Sequence, residues 1–304
     1  MKGWTVARNA LVGGGIAWML VGAAMAQAVR VTDDRGTTLN FPQPPQRIVS
    51  LLPSLTETVC ALDQCHRLVG VDRYSNYPAS VQRLPKVGGG LDPSVESVVA
   101  LRPDVVVMSV SSRAGARLEA LGIKVVALEP KTHADVQRVL RTMAQLLGVP
   151  EDNARQVWRV TDAAVSAAAQ SLTPQARGAR VYFEVSRGPY GAGESSFIGE
   201  TLARLGVKNV IPASLGPFPR LNPEFVVRAN PDLIMMGNRS MQTSVPYPGW
   251  DTIKAVREQR ICVYGPDDSD TVVRPGPRMA EAARLMAQCL NAKMATPPAQ
   301  GRKP

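Results

Sequence analysis

The sequence predicts an α/β protein of two similar lobes, each a mainly parallel sheet flanked by helices, joined by one long α-helix. Short apolar runs alternate with helical segments along most of the chain, which is the rhythm of α/β folds. About six turns of helix-forming sequence at 150–171 interrupt this alternation, and the pattern then restarts. At 304 residues, the chain is long enough for two domains with their own cores.

The first half of the chain contains four predicted strands and four predicted helices. Its strand segments are uniformly apolar rather than alternating, which is typical of a parallel sheet covered on both faces. Ser54 and Glu57 have the spacing of a capping box and predict the start of the first helix, while Gly122 and Gly148 end the third and fourth. The predicted strands are 47–52, 67–71, 105–109 and 124–128. The predicted helices are 54–62, 95–101, 113–121 and 132–147.

The second half repeats this arrangement after the long helix. Its predicted strands are 180–185, 233–236 and 260–264, and its predicted helices are 196–205 and 278–292. The predicted domains are a signal peptide at 1–26, an N-terminal lobe at 27–148, a connecting helix at 149–173, a C-terminal lobe at 174–294 and a polar tail at 295–304.

An internal repeat supports the two lobes. The segment 95–108 aligns with 223–236, 128 positions further on, and the match includes a glutamate, two valines, a Pro-Asp pair and the final methionine. The repeated glutamates are Glu96 and Glu224. Two copies are too few for a solenoid, so the repeat fits two lobes that share a fold.

The N-terminus has the pattern of a Sec-type secretory signal peptide. Lys2 and Arg8 precede an apolar stretch at 11–23, and small residues follow at the cleavage position after Ala26, or alternatively after Ala28. No cysteine follows either position, so no lipid-attachment signal is expected. No other stretch approaches the length of a membrane span, so we expect a periplasmic mature chain that is not inserted in the membrane.

Export makes disulfides possible for the four cysteines, which allow three pairings. Cys60 and Cys65 lie five positions apart at the end of one predicted helix. Cys262 lies on a predicted strand and Cys289 on the last helix, which should pack nearby. The sequence therefore predicts Cys60–Cys65 and Cys262–Cys289.

Several classes of function are disfavoured. The charge of +10 includes no Lys/Arg run longer than two, so it indicates a diffusely basic surface and no nucleic-acid partner. No Gly-x-Ser-x-Gly or Walker motif occurs, and His66 and His133, the only histidines, supply little general-base capacity. With no Cys-x-x-Cys spacing, no metal site is expected. The acidic cluster 267–270 is interpreted as a solvated loop. The chain is therefore not predicted to be an enzyme; a secreted α/β enzyme is the weaker alternative.

Aromatic and arginine side chains instead occur in loops that follow predicted strands. Open parallel sheets bind ligands beyond the carboxyl ends of their strands. Aromatic faces suit a large planar ligand, and arginines suit its acidic groups. The candidate ligand-binding residues of this kind are Tyr74, Tyr77, Tyr190, Phe218, Arg220, Trp250 and Arg274.

The segments 50–57, 69–78, 95–104 and 274–278 resemble the periplasmic substrate-binding proteins of ABC importers, of the helical-backbone metal-receptor type that serves cobalamin, siderophores and haem. The resemblance covers roughly 29–292. It implies a class III periplasmic binding protein: two lobes on a rigid helix with little hinge closure, binding a metal chelate without a cofactor of its own. It also implies an ABC permease dimer as partner, and we expect the receptor to be a monomer.

The resemblance assigns roles to individual residues. It places Tyr74, Tyr190, Phe218 and Asp270 in the binding site of a corrinoid. Glu96 and Glu224 match the glutamates that dock on permease arginines in this family. Tryptophans expected near Gly89 and Ser111 are absent, which leaves a ferric siderophore open as the ligand. Haem is a weaker alternative, because His66 and His133 lie in positions that flank predicted helices. Cys289 matches a family cysteine whose usual partner position, near Leu205, is not cysteine, and this also favours Cys262.

Overall fold

The computed structural model describes residue 1 and residues 28–237 and 247–295. The predicted signal peptide, apart from its first residue, and the predicted tail beyond residue 295 lie outside the described residues.

The first lobe opens with an antiparallel hairpin, β1 (Val29–Thr32) and β2 (Thr38–Phe41). Four parallel strands follow: β3 (Ile48–Ser50), β4 (Leu68–Val71), β5 (Val105–Met108) and β6 (Val125–Ala127). Its helices are α1 (Pro53–Ala61), α2 (Val95–Ala100), α3 (Gly115–Ala120) and α4 (His133–Leu147).

The connecting helix α5 (Glu151–Gln170) leads into the second lobe. Its strands are β7 (Arg180–Ser186), β8 (Tyr190–Gly191), β9 (Lys208–Asn209), β10 (Leu233–Gly237) and β11 (Ile261–Tyr264). Its helices are α6 (Phe197–Arg204), α7 (Pro223–Ala229), α8 (Lys254–Arg257), α9 (Pro266–Val272) and α10 (Met279–Met294).

Both sheets have the same strand order. In the first lobe the order is β4-β3-β5-β6, and in the second it is β9-β7-β10-β11, with β8 pairing antiparallel to β7. When only the parallel strands of each lobe are numbered, in chain order, both sheets have the order 2-1-3-4. The repeated sequence segments form α2-β5 and α7-β10, the equivalent pairs. The predicted fold class is confirmed: two similar α/β lobes joined by one helix.

Burial on both faces explains the uniformly apolar strands. In β5, Val105 and Val107 join the core that contains α1 and α4, while Val106 and Met108 pack with residues of α2 and α3. Because successive strand residues point to opposite faces, a sheet covered on both sides needs apolar residues at every position.

The helix α5 packs against α4 of the first lobe and α10 of the second. Its buried positions are small or β-branched residues, Ala154, Thr161, Val165 and Ala168, which allow close helix contact. At 20 residues it is about 30 Å long, enough to span both lobes.

Both predicted disulfides are confirmed. Cys60 and Cys65 bridge the end of α1, with their Cα atoms 4.2 Å apart. Cys262 and Cys289 join β11 to α10, with Cα atoms 6.1 Å apart.

Two local predictions are wrong. Helix α1 begins at Pro53, a residue suited to a first helical position, with Leu52 as N-cap and no side-chain cap. Ser54 and Glu57 are therefore buried inside the helix and form no capping box. The acidic cluster 267–270 is not a loop but lies in α9. Asp267 and Asp268 occupy the first turn of that helix, where their negative charges interact favourably with the positive end of the helix dipole.

A polar joint around His133 connects the lobes beside α5. The His133 ring Nε2 lies 2.9 Å from Thr201 Oγ1, and Nδ1 lies 3.3 Å from Arg204 Nη1. Its backbone N–H donates to Glu200 across 2.6 Å, and Arg204 pairs with Asp162 of α5 at 2.7 Å. Burial is the largest influence on His133 and lowers its pKa.

We expect the buried imidazole to make the protein less stable in mild acid. Below about pH 6.5 the unfolded chain protonates His133 while the folded chain resists protonation, so this contribution to stability falls as the pH falls. Urea unfolding at pH 7.5 and at pH 5.5 gives the fall in the free energy of unfolding between the two conditions. This fall should be smaller for His133→Gln than for the wild type, and it should equal the wild-type fall for His66→Gln, at an exposed site. The same fall in all three proteins would contradict the assignment to His133.

Candidate functional site

The loops and helices that follow the carboxyl ends of the strands bring the two lobes into contact at two places. Asn76, after β4, donates from Nδ2 to Asp270 Oδ2 in α9, after β11, across 2.9 Å. At the other end, the N–H of Phe197 donates to the carbonyl of Lys131, which follows β6, across 2.7 Å. The candidate binding site is the space between these contacts, at the strand ends where α/β sheets bind ligands.

Four exposed aromatic side chains come from the loops of this region, two from each lobe. The exposed fractions are 53% for Tyr74, 46% for Tyr77, 38% for Tyr190 and 39% for Phe218. Phe218 also packs against Phe197, with ring centroids 6.1 Å apart. Because all four lie in or beside loops that follow strand ends on the two lobes, they are the candidate ligand contacts of the site.

A cation accompanies the tyrosine of each lobe. The guanidinium of Arg73 lies 5.8 Å from the centroid of the Tyr74 ring. Arg220 pairs with Tyr190 in a β-bridge, and its Nε donates to the carbonyl of Gly188 across 3.3 Å. The first lobe therefore presents a phenol beside a guanidinium, and in the second lobe the main chains of the tyrosine and the arginine are paired.

A buried carboxylate positions the Tyr74 loop. Asp72 accepts from the N–H of Tyr74 at 2.8 Å and from Ser75 Oγ at 2.5 Å. Burial raises the pKa of Asp72, and the bonds from Ser75 and Tyr74 oppose that rise. The loop is thus anchored to the end of β4 by two hydrogen bonds to one fully buried residue.

The Tyr190 loop has a comparable anchor that sequence reasoning missed. Tyr247 Oη donates to Glu184 Oε1 at 3.2 Å and accepts from the N–H of Gly188 at 2.8 Å. Tyr182 Oη lies 3.4 Å from Glu184 Oε2. Burial raises the pKa of both phenols. The available sequence signal was a single acid, Glu184, among the apolar and aromatic residues of 181–185 in β7.

A second set of polar residues missed from the sequence lies at the ends of β5 and β6. Glu129 accepts from Ser109 Oγ at 2.9 Å, from Ser111 Oγ at 2.9 Å and from the Ser111 N–H at 3.2 Å. This cluster places a hydrogen-bonded carboxylate and two hydroxyls on the first lobe's side of the site.

The structure corrects the assignment of Trp250 as a ligand contact. Trp250 is fully buried, with its ring edge-on to Tyr182 at 5.7 Å and its Nε1 donating to the carbonyl of Pro223. It fills the core between β10 and the helices α7 and α8. A Gly/Pro-rich neighbourhood suggested an exposed loop, but the indole fills the space on that face of the sheet.

Arg274 is not a free anion-binding guanidinium either. It is almost fully buried, and it donates to Glu57 Oε1 at 2.9 Å, to Asn76 Oδ1 at 2.8 Å and to the carbonyl of Tyr74 at 2.8 Å. Asp270 lies 2.9 Å from its second terminal nitrogen. Both Arg274 and Asp270 lie at the site, but they contact each other and the Tyr74 loop.

Glu96 and Glu224 occupy equivalent exposed positions. They lie in the first turns of α2 and α7, with side chains 82% and 75% exposed. Each helix returns the chain from the carboxyl edge to the start of the next parallel strand, so both first turns lie toward the carboxyl edges of their sheets. Their nearest cations are at the limit of pairing, Arg117 at 3.9 Å and Arg228 at 3.8 Å.

Within the described ranges, no group of three or more His, Cys, Asp and Glu side chains is arranged to hold a metal ion. In the same part of the chain, none of the helices combines the length and the apolar character that crossing a membrane requires.

The model of the periplasmic binding protein family matches residues 48–267, which cover most of both lobes. The chain belongs to this family. The resemblance inferred from the sequence is therefore confirmed. Periplasmic binding proteins of this kind are substrate-binding transport proteins rather than enzymes, and their partner is an ABC permease.

Three similar proteins illustrate the range of the family. An uncharacterized ABC transporter substrate-binding lipoprotein of Bacillus subtilis, YvrC, is 28% identical over 274 residues, which cover 86% of this chain and 85% of that protein. The vitamin B12-binding protein of Pectobacterium carotovorum is 26% identical over 259 residues, which cover 82% and 89%. The apo structure of the periplasmic heme-binding protein RhuT from Roseiflexus superposes with a TM-score of 0.70 at 25% identity, covering 82% of this chain and 99% of that one.

Proposed function

We propose that this periplasmic binding protein captures a corrinoid, a cobalamin or close relative, between its two lobes and delivers it to an ABC importer without chemical turnover. The observation that carries the proposal is the set of exposed aromatic residues at the carboxyl edges of both sheets. The vitamin B12-binding relative supports the ligand class. The signal-peptide pattern supports a periplasmic location for the mature chain.

The chemistry of a corrinoid fits these groups. A corrin ring is broad and largely apolar on its faces, so tyrosine and phenylalanine rings bury a large area against it. Amide side chains surround the ring and both donate and accept hydrogen bonds. Ser109, Ser111 and Glu129 supply hydroxyls and a carboxylate that match such amides.

Haem is the second candidate, because Arg73 lies near the ring of the exposed Tyr74 and the main chain of Arg220 pairs with that of the exposed Tyr190. Phenol oxygens bind ferric iron, and guanidinium groups pair with carboxylates. Against this, Glu129 brings a carboxylate bonded to two serine hydroxyls, and such a group repels the carboxylates of haem and of many ferric siderophores. This carboxylate therefore favours the amide-bearing ligand.

Isothermal titration of the mature protein decides among these ligands. The panel is cyanocobalamin, dicyanocobinamide, haemin and a set of ferric siderophores. We expect saturable heat with one corrinoid per chain and weaker or no binding of the others. Binding of haemin alone would replace the corrinoid with the second candidate, and no binding across the panel would refute a receptor for this ligand class.

We further propose that Glu96 and Glu224 dock the receptor on the permease. A permease dimer offers two equivalent surfaces, and two equivalent carboxylates on repeated lobes match that symmetry. Carboxylate–arginine pairs across such an interface mainly set orientation and association rate, and they weaken with salt.

Changing either glutamate to alanine should impair transport and leave ligand binding unchanged. The free energy of unfolding should stay within about 0.5 kcal/mol, because both side chains are exposed. Uptake of labelled ligand in cells with limiting receptor should fall in each single variant and further in the double variant. Glu151→Ala, on an exposed face of α5, is the matched control. Full uptake by the double variant would contradict the docking role and leave the glutamates only the role of stabilising the N-termini of α2 and α7 through the helix dipole.

A further inference from the structure

The two segments that stood out most in the sequence, 50–57 and 274–278, meet in the structure. Glu57 of α1 lies in the first lobe and is almost fully buried, and Arg274 reaches it from the second lobe across 2.9 Å. Arg278 Nη1 lies 3.7 Å from the same Glu57 oxygen. Gly276, between the two arginines, packs against Ser54 at the start of α1. Glu57, Arg274 and Arg278 together are called the interlobe clasp below.

The clasp is bonded directly to the exposed tyrosines of the first lobe. Arg274 donates from Nη2 to the carbonyl of Tyr74 at 2.8 Å and from Nη1 to Asn76 Oδ1 at 2.8 Å. The guanidinium of Arg278 lies over the ring of Tyr77, 4.0 Å from its centroid. A residue of one lobe therefore holds the main chain that carries the ligand-facing tyrosine of the other.

Several contacts of the clasp require a guanidinium rather than any cation. Arg274 uses its two terminal nitrogens for two carboxylates, one amide oxygen and one carbonyl. The planar fork of arginine presents these donors in fixed directions, whereas lysine offers a single flexible ammonium group. A lysine at this position has one nitrogen, so it cannot reproduce the arrangement in which two nitrogens share these four contacts.

We propose that Arg274 and Glu57 are positioning residues for the ligand-binding tyrosines: the interlobe clasp fixes the loop 73–77 in the geometry that the ligand meets. This inference rests on the proposed function, because it takes Tyr74 and Tyr77 as ligand contacts. Asp72 anchors the loop from its own lobe, and Arg274 anchors it from the other. The residence time of the ligand therefore depends on the contacts of Arg274 with Glu57 and with the carbonyl of Tyr74, which need not touch the ligand.

The test compares two arginines that both join the lobes. Arg204 donates to Asp162 and Ser166 and contacts His133, all at the joint beside α5. Arg274→Gln and the control Arg204→Gln are made in the mature full chain, together with Arg274→Lys. Hydrogen–deuterium exchange of the unliganded proteins measures the protection of amides 73–77, and stopped-flow displacement measures the dissociation rate of cyanocobalamin.

Arg274→Gln should raise amide exchange in 73–77 by at least about tenfold and speed cyanocobalamin dissociation by a similar factor, while Arg204→Gln leaves both near wild type. Arg274→Lys should give intermediate values, and it carries the test if Arg274→Gln does not fold. Unchanged exchange in both Arg274 variants would overturn the proposal, as would an equal rise in Arg204→Gln. Faster exchange without faster dissociation would also overturn it.

The exchange measurement needs no ligand, so it separates this inference from the proposed function. If the wild type binds no corrinoid, the proposed function fails on the titration, while the exchange still shows whether the clasp holds the loop.

Discussion

Replacement of Arg274 by alanine is expected to lower the free energy of unfolding by about 3–5 kcal/mol, because it leaves a buried carboxylate without its main partner. In a chain of this size, that corresponds to a fall in melting temperature of about 10 °C. Glu57 is almost fully buried, and burial raises its pKa while Arg274 and Arg278 oppose the rise. Denaturant unfolding of the mature protein measures the effect directly.

The decrease in the free energy of unfolding caused by Arg274→Ala should be larger at high pH than at low pH. Without Arg274, the pKa of Glu57 rises further, so the folded state holds a proton that the unfolded chain releases above about pH 4.3. The variant should therefore be more impaired at pH 8 than at pH 5. A difference from the wild type that is the same at both values would contradict this account of Glu57.

Two further variants separate the buried pair from ordinary surface pairs. The side chain of Arg155 is 55% exposed and pairs with carboxylates of the same helix at 3.0 and 3.3 Å. Arg155→Ala should therefore lower the free energy of unfolding by no more than about 0.5 kcal/mol. The double change Glu57→Leu with Arg274→Met should be more stable than Arg274→Ala, because it removes both buried charges together. A double variant as unstable as the single one would show that packing, not charge, dominates at this site.

Removal of the ligand-facing tyrosines should give the largest change in binding. Tyr74 and Tyr190 lie on opposite lobes, and both are exposed in the unliganded protein. If each ring packs on the ligand, each change to alanine should weaken corrinoid binding by about 2 kcal/mol, or roughly 30-fold. The double variant should lose roughly 1,000-fold, since the sites do not share a lobe.

Titration calorimetry and thermal unfolding together check this prediction. The melting temperature should change little, because the exposed rings contribute little to the core. Leu121→Ala is the control: its side chain is 60% exposed and lies at the end of α3, toward the starting edge of the first sheet. Wild-type affinity in the double tyrosine variant would place the ligand away from the carboxyl edges of the sheets.

The sequence predicted the fold well because its signals were redundant. The central strands β3, β5 and β10 are buried on both faces and so carry continuous apolar runs. The repeat of 95–108 at 223–236 predicted that the lobes match, and the shared 2-1-3-4 strand order confirms it. The strands that were missed are short: β1 and β2 have four residues each, and β8 and β9 have two. The missed helices α8 and α9 have four and seven residues.

The candidate site was predictable in position but not in detail. The loops of Tyr74, Tyr77, Tyr190 and Phe218 were located because aromatics in Gly/Pro-rich loops after strands are conspicuous. Whether such a residue is exposed depends on tertiary packing, and Trp250 was misassigned for that reason. Three of the four partners of Arg274 lie about 200 positions away in the chain, so no local pattern reveals that this arginine is buried against Glu57.

The most direct measurement of the central proposal is a crystal structure of the mature protein with cyanocobalamin. The account predicts one corrinoid between the lobes, with its ring in contact with Tyr74 on one side and Tyr190 on the other, and with Arg274 still bonded to Glu57. A corrinoid bound to one lobe alone, or on a surface away from the carboxyl edges of the sheets, would contradict it.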